Sequence, residues 1–241
     1  MLISNVSYCY SCEKITERRL NNSCIQCESK IKKGIAMQNF PQFKFIADND
    51  LHYGHIHHLK AMMYHQALIT NGKFKLTSGG TSQQYFNCKN VTMTGEGAHI
   101  IGKIGLHLFS KIPDMDAVGG ITMGADPISA AIVNAVYDKG FYRVKQFSVR
   151  KEPKEHGTSA WIEGPIVPKD SVMIVDDVLT TGNSIISSIS KCIAHNLIVK
   201  CIFILIDREE NHALYRIKEY ISSDCLVFVA TTKSQILEGV Y

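Results

Sequence analysis

The chain lacks any apolar run long enough to cross a bilayer. Its first residues, Met1-Leu2-Ile3-Ser4-Asn5, lack the basic region, apolar segment and cleavage site of a secretory leader. No membrane partner is expected, and a cytoplasmic location is the default. A large charge excess is missing too: 26 Lys and Arg stand against 22 Asp and Glu, and the net charge of +4 is spread along the chain. That balance gives no argument for nucleic acid, and anionic small molecules are enough to account for it. Internal repeats and low-complexity tracts are also absent. What remains is an ordinary globular composition, 45% hydrophobic and 20% charged, in a chain of 241 residues that can bury a real core.

The eight cysteines are unevenly placed. Four fall within the first 27 residues as two C-x2-C knuckles, Cys9-Tyr-Ser-Cys12 and Cys24-Ile-Gln-Cys27, with eleven residues between them. This spacing suits four thiolates closing tetrahedrally on one structural Zn²⁺. Two redox pairs are the rival reading, but they would not require a paired repeat on a segment too short to fold without a staple. Residues 1–39 are therefore expected to form a zinc-ribbon-like module with a structural or protein-contact role. Its basic residues, Lys14, Arg18, Arg19, Lys30, Lys32 and Lys33, have no aromatic interleaving. Nucleic acid would enter only through this module. Cys88, Cys192, Cys201 and Cys225 lie in or beside apolar segments and are expected to be buried thiols.

After a connector with Pro41 and Asp48-Asn49-Asp50, the chain reads as a second domain over 40–241. Apolar spacing predicts a helix over 51–69. Its histidines, His52, His55, His57, His58 and His65, have no carboxylate at ligand spacing and read as ordinary surface residues. Residues 73–93 predict two short strands around a Gly-Gly turn, a hairpin outside the main sheet. Helices near 95–110, 127–139 and 210–221, and one after Gly182, alternate with strands near 116–121, 142–149, 172–175, 199–206 and 225–230. This alternation predicts an α/β fold, a parallel sheet flanked by helices.

The chemistry concentrates in Val-Met-Ile-Val-Asp-Asp-Val-Leu-Thr-Thr-Gly-Asn-Ser, residues 172–184. An apolar strand delivers Asp176 and Asp177 to its carboxyl end, where parallel sheets bind ligands. Ionised carboxylates accept hydrogen bonds, so hydroxyls such as a ribose diol are natural partners. Thr180, Thr181, Gly182, Asn183 and Ser184 then offer hydroxyls and backbone N–H groups at a helix start, where an anion is favoured. A helix cap with a plain turn would explain the threonines but gives no reason for two adjacent acids. A second dense segment, Arg150-Lys151-Glu152-Pro153-Lys154-Glu155-His156-Gly157, supplies cations suited to a leaving group that gains negative charge.

Asp176-Asp177 with Thr180-Thr181-Gly182 resembles the PRPP-binding motif of the type I phosphoribosyltransferases. Arg150, Lys151, Lys154 and His156 resemble the flexible catalytic loop of the orotate phosphoribosyltransferases. The resemblance covers residues 50–232 and implies the type I fold, a small hood over about 50–93, Mg²⁺ carried with PRPP, and a homodimer whose loop acts across the interface. It also implies a base site. The run from Phe74 through Thr77 to Gly79, with Ser82, Tyr85 and Phe86, resembles the hood that covers the base, and Asp207-Arg208 resembles the element whose arginine faces it. An orotate carboxylate suits the planar fork of Arg208, although a structural salt bridge is the alternative for that residue. Two departures stand out: Thr77 occupies a position where many members carry lysine, and residues 119–127 lack the lysine of the usual pyrophosphate loop. Gly124 and Ala125 can still offer backbone N–H groups there. The alternatives are a transferase for another base, or a non-catalytic PRPP sensor that contacts a partner or DNA through the ribbon.

Overall fold

The computed structural model describes residues 53–70, 72–75, 81–153 and 161–238, together with three short strands at 6–9, 14–17 and 43–45. In chain order, β1 (Val6–Cys9) and β2 (Lys14–Glu17) form an antiparallel hairpin, and β3 (Phe43–Phe45) is an edge strand. Helix α1 (Tyr53–Met62) passes into a π-helical turn at Met63–Ala67 and then into β4 (Leu68–Ile69). The helix expected to reach Ile69 therefore ends earlier. Strand β5 (Phe74–Lys75) pairs antiparallel with β6 (Thr81–Ser82), as expected for a hairpin outside the main sheet. The next strand, β7 (Tyr85–Phe86), pairs instead with β4, and Lys89–Thr92 is a helical turn, α2, rather than strand.

The remaining elements are α3 (Gly95–Ser110), β8 (Ala117–Ile121), α4 (Ala125–Tyr137), β9 (Lys145–Val149), β10 (Ile162–Glu163), β11 (Ser171–Leu179), α5 (Asn183–Ala194), β12 (Ile198–Asp207), α6 (Ala213–Lys218), β13 (Leu226–Thr232) and α7 (Lys233–Leu237). Seven strands share one sheet in the order β10-β9-β8-β11-β12-β13-β3, parallel except for β10. Strand side chains alternate between faces, so an unbroken apolar run feeds two cores at once. Met173, Val175, Phe203 and Leu205 join α1, α3 and α4 on one face. Val172, Ile174, Ile202 and Ile204 join α5 and α6 on the other. The result is three layers, and the four cysteines beyond the N-terminal region are buried and unpaired, as the sequence suggested.

Sheet order reverses beside β8. From β8 the chain crosses through α4 to β9 on one side, whereas from β11 it crosses through α5 and α6 to β12 and β13 on the other, with these helices on opposite faces. The β8/β11 junction is thus a topological switch point, where open α/β sheets leave a crevice for ligands.

Helices α3 and α4 pack closely because Gly105 has no side chain: a Cβ there would lie 2.2 Å from Ile132 Cγ1, and Ile132 is fully buried. Gly105→Leu is expected to overpack this crossing by about 1–3 kcal/mol. In thermal unfolding that corresponds to a Tm lowered by roughly 5 °C. An unchanged Tm would mean that the two helices separate at no cost.

Candidate active site

Strand β11 was expected to stop at Val175, but it runs on to Leu179 and carries the acid pair within it. Its pairing with β8 ends at Ile174 opposite Gly119, while pairing with β12 continues to Leu179. The freed edge at Asp176 and Asp177 meets the turn after β8 instead. Gly124 sits so close that a Cβ on it would lie 2.7 Å from Asp177 Oδ1 and 3.4 Å from Asp176 Oδ1. Ala125, fully buried, begins α4 directly behind it.

Asp176 is 6% exposed and Asp177 half-buried. Asp176 Oδ1 accepts the Asp177 N–H at 3.1 Å, and Asp177 Oδ1 accepts the Val178 N–H at 2.9 Å. Burial pushes the Asp176 carboxyl well above the usual carboxylate range, and the adjacent Asp177 charge adds to this; the Asp177 N–H and the Lys151 cation pull the other way. Such a pair is relieved by hydroxyl donors or a cation. The Cys88 thiol beside it is raised first by burial and then by Asp177 and Asp176, which keeps it a neutral thiol.

Two clefts meet at the acids. One, about 200 Å³, is lined by Tyr85, Gly124, Lys151, Asp176, Asp177 and Ser184. The other, about 70 Å³, is bounded by residues 178–184 and shares Asp176 and Ser184 with the first. Here Gly182 takes φ 79° immediately before α5, and the Asn183 N–H points to Thr181 Oγ1 at 3.4 Å. Arg216 of α6 donates to the Thr181 carbonyl oxygen and, at 2.9 Å, to Asn183 Oδ1. By engaging these acceptors it leaves the turn rich in donors and adds a positive charge beside a helix start. A larger groove, about 310 Å³, lies between α3 and α4 but shares no residue with this site and contains no acid pair.

On the hood side, Tyr85 is 41% exposed and stacks on Phe74, with ring centroids 5.3 Å apart. Phe86 belongs to the core at 4% exposure and also lines the first cleft. Arg208, also 4% exposed, reaches the hood through Nη2, 3.4 Å from Ser82 Oγ and 3.5 Å from the Gln84 carbonyl oxygen.

At the cationic segment, Arg150 does not line either cleft. Its Nη1 lies 3.4 Å from Glu163 Oε1, and its N–H donates to the Trp161 carbonyl at 2.9 Å. Lys191 of α5 donates to the Arg150 carbonyl at 2.8 Å and lies 4.1 Å from the Trp161 ring centroid. Among the described residues, Lys151 is the expected cation that faces the acid pair. Lys154, His156 and Thr77 lie outside the described residues, as do Cys12, Cys24, Cys27 and the side chain of Cys9. Arg216, Lys89 and Glu210 had no role in the sequence reading. Lys89 falls in the segment expected to be strand and Arg216 in the helix expected near 210–221, and only the fold brings them to the first cleft and to the turn.

The chain is 41% identical over 138 residues to the orotate phosphoribosyltransferase of Aquifex aeolicus, a match spanning 57% of this chain and 74% of that protein. With the orotate phosphoribosyltransferase of Tropheryma whipplei it is 40% identical over 141 residues, 58% of this chain and 65% of that one. Among solved structures, the fold matches Mycobacterium tuberculosis orotate phosphoribosyltransferase with a TM-score of 0.62 at 24% identity, covering 76% of this chain and 98% of that one. No protein-family model matches.

Because Gly124 abuts both carboxylates, Gly124→Val should displace them. PRPP affinity measured by calorimetry is expected to fall about tenfold or more, equivalent to roughly 1.4 kcal/mol. The Tm should change little, and an unaltered affinity would show that the acids do not form the binding surface.

Proposed function

This chain belongs to the orotate phosphoribosyltransferase family, and from that premise we propose that it joins orotate to the ribose of PRPP, giving orotidine 5′-monophosphate and pyrophosphate. The observation that carries the reading is the junction of the two clefts on Asp176, with a donor-rich turn on one side and the hood on the other. Asp176 and Asp177 would accept from the ribose hydroxyls, and residues 180–184 would hold the 5′-phosphate. Backbone at Gly124 and Ala125, with Lys151, would meet the pyrophosphate. Lys154 and His156, by resemblance to the family loop, would complete its neutralisation, with Arg150 anchoring that loop at its stem. Tyr85, Phe86 and Arg208 would receive the base, joined by Thr77 by resemblance to the family hood.

Chemically, the bond between ribose C1 and the pyrophosphate oxygen breaks as a ring nitrogen of the base bonds to C1. The protein's part is to align the two partners and stabilise charge on the departing oxygen. Mg²⁺ suits this site: two adjacent carboxylates, one of them destabilised by burial and by its neighbour, are hard oxygen donors facing a cleft. When bound with PRPP it would supply charge neutralisation to the pyrophosphate. Among the described residues there is no cluster of three or more His, Cys, Asp or Glu.

The same reading includes a homodimer, a cytoplasmic location, and the division into a 1–39 module and a 40–241 transferase domain. Cys9, Cys12, Cys24 and Cys27 would bind one structural Zn²⁺; the β1/β2 pairing supports this by setting Cys9 at the end of β1, opposite Lys14.

Purified protein with Mg²⁺ and PRPP is expected to consume orotate, seen as loss of its absorbance, and to leave uracil unused. Tight PRPP binding without turnover of any base would instead identify a sensor. Metal analysis of the same sample is expected to find about one zinc per chain, the stoichiometry of a four-thiolate site; a zinc-free protein with an intact β1/β2 hairpin would remove that assignment.

A further inference from the structure

Beyond Asp207 the chain leaves β12 through a turn in which three non-glycine residues hold positive φ: Glu209 at 59°, Asn211 at 57° and His212 at 49°. Side chains disfavour this conformation, so the surroundings must impose it. Two hydrogen bonds of 2.8 Å help to do so: Asp207 Oδ1 accepts the Glu209 N–H, and Glu209 Oε2 accepts the Ser234 N–H at the start of α7. The turn brings Glu210 back alongside Arg208.

One oxygen, Glu210 Oε1, accepts from Arg208 Nε at 3.2 Å and from Nη2 at 3.0 Å, and lies 3.5 Å from Lys233 Nζ. The Arg208 side chain is 3% exposed, so its orientation is set by these partners rather than by solvent. Among the described residues, Nη1 has no acceptor, and the outer contacts of Nη2 to the hood are long. The guanidinium is thus gripped by its inner edge and has donors to spare at its outer one. The charges matter as well. Arg208 and Glu210 alone would be neutral; Lys233 restores one net positive charge to the group.

We propose that Glu210, held in turn by Lys233, is a positioning residue that sets base specificity: it fixes Arg208 by its inner edge so that Nη1 and Nη2 present a two-point donor fork to the carboxylate of the base. This rests on the orotate reading for the identity of the base. Glu210 touches no substrate in this arrangement. It acts through Arg208, and Lys233 acts by supplying charge without taking up the fork.

The decisive variant is Glu210→Gln, which keeps the shape but removes the counter-charge. Were charge alone important, an anionic base would then bind more tightly; loss of position makes it bind less well. The KM for orotate is expected to rise about tenfold, with kcat and the KM for PRPP within about twofold of the parent. Lys233→Met is expected to raise the orotate KM by about threefold at low salt and less at high salt. An unchanged or lower orotate KM in Glu210→Gln overturns the proposal. So does a parallel rise in both KM values with a fall in Tm, which marks a merely structural role. Exchange of the Arg208 Nε proton, followed by ¹H–¹⁵N spectra without substrates, should be slow in the parent and fast in Glu210→Gln. If the parent is inert toward orotate, the orotate reading fails, and the positioning role stands or falls on that proton exchange.

Discussion

The ligand end of the molecule depends on one mismatch in strand length. β8 stops pairing with β11 at Ile174, yet β11 continues to Leu179 with β12 alone beside it. A strand bordered on one side only has a free edge in the middle of a sheet, and a free edge needs partners. Here the turn through Gly124 comes up to that edge, and the two carboxylates point into the gap. Had β8 run as far as β11, the gap would be closed by backbone hydrogen bonds. The apolar residues that build β11, alternating between two helical layers, make the strand rigid enough to hold two acidic groups side by side.

Those charges also give the site a direction. Negative groups are repelled from the Asp176/Asp177 junction and must lie to either side of it, toward the donor turn at 180–184 or toward Lys151. A neutral diol is the part of a sugar phosphate that can sit at the centre. Repulsion in the middle and attraction at the flanks fix where a bis-anionic ligand sits along the cleft, so the acids contribute to register as well as to affinity. Arg216 strengthens the contrast by engaging acceptors of the turn.

Much of this was legible in the residues. The alternation of strands and helices gave the layers, and adjacent acids after an apolar run marked the site, because both are local patterns that burial and charge enforce. What escaped notice was non-local. Nothing in the apolar run Val172–Val175 says that pairing persists through two aspartates, since that depends on Ile204 and Ile206 across the sheet. Phe86 and Tyr85 are neighbours, but period-two alternation sends one ring into the core and leaves the other exposed, and which one faces outward depends on pairing with β4. The helical turn at Lys89–Thr92 was hidden by β-prone residues in a segment too short to show a period. Arg216 and Glu210 came to light only when tertiary packing brought them to the turn and to Arg208.

The stems on either side of residues 154–160 are tied by the Arg150 N–H to the Trp161 carbonyl and by Lys191, which bonds the Arg150 carbonyl and lies over the Trp161 ring. Trp161 is the chain's single tryptophan. Its emission therefore comes from one spot, under an ammonium group whose distance governs how the excited indole is perturbed. Because Lys191 rides on the helix that starts at Asn183, two turns beyond the donor turn, the protein carries a native optical probe linked through α5 to that turn.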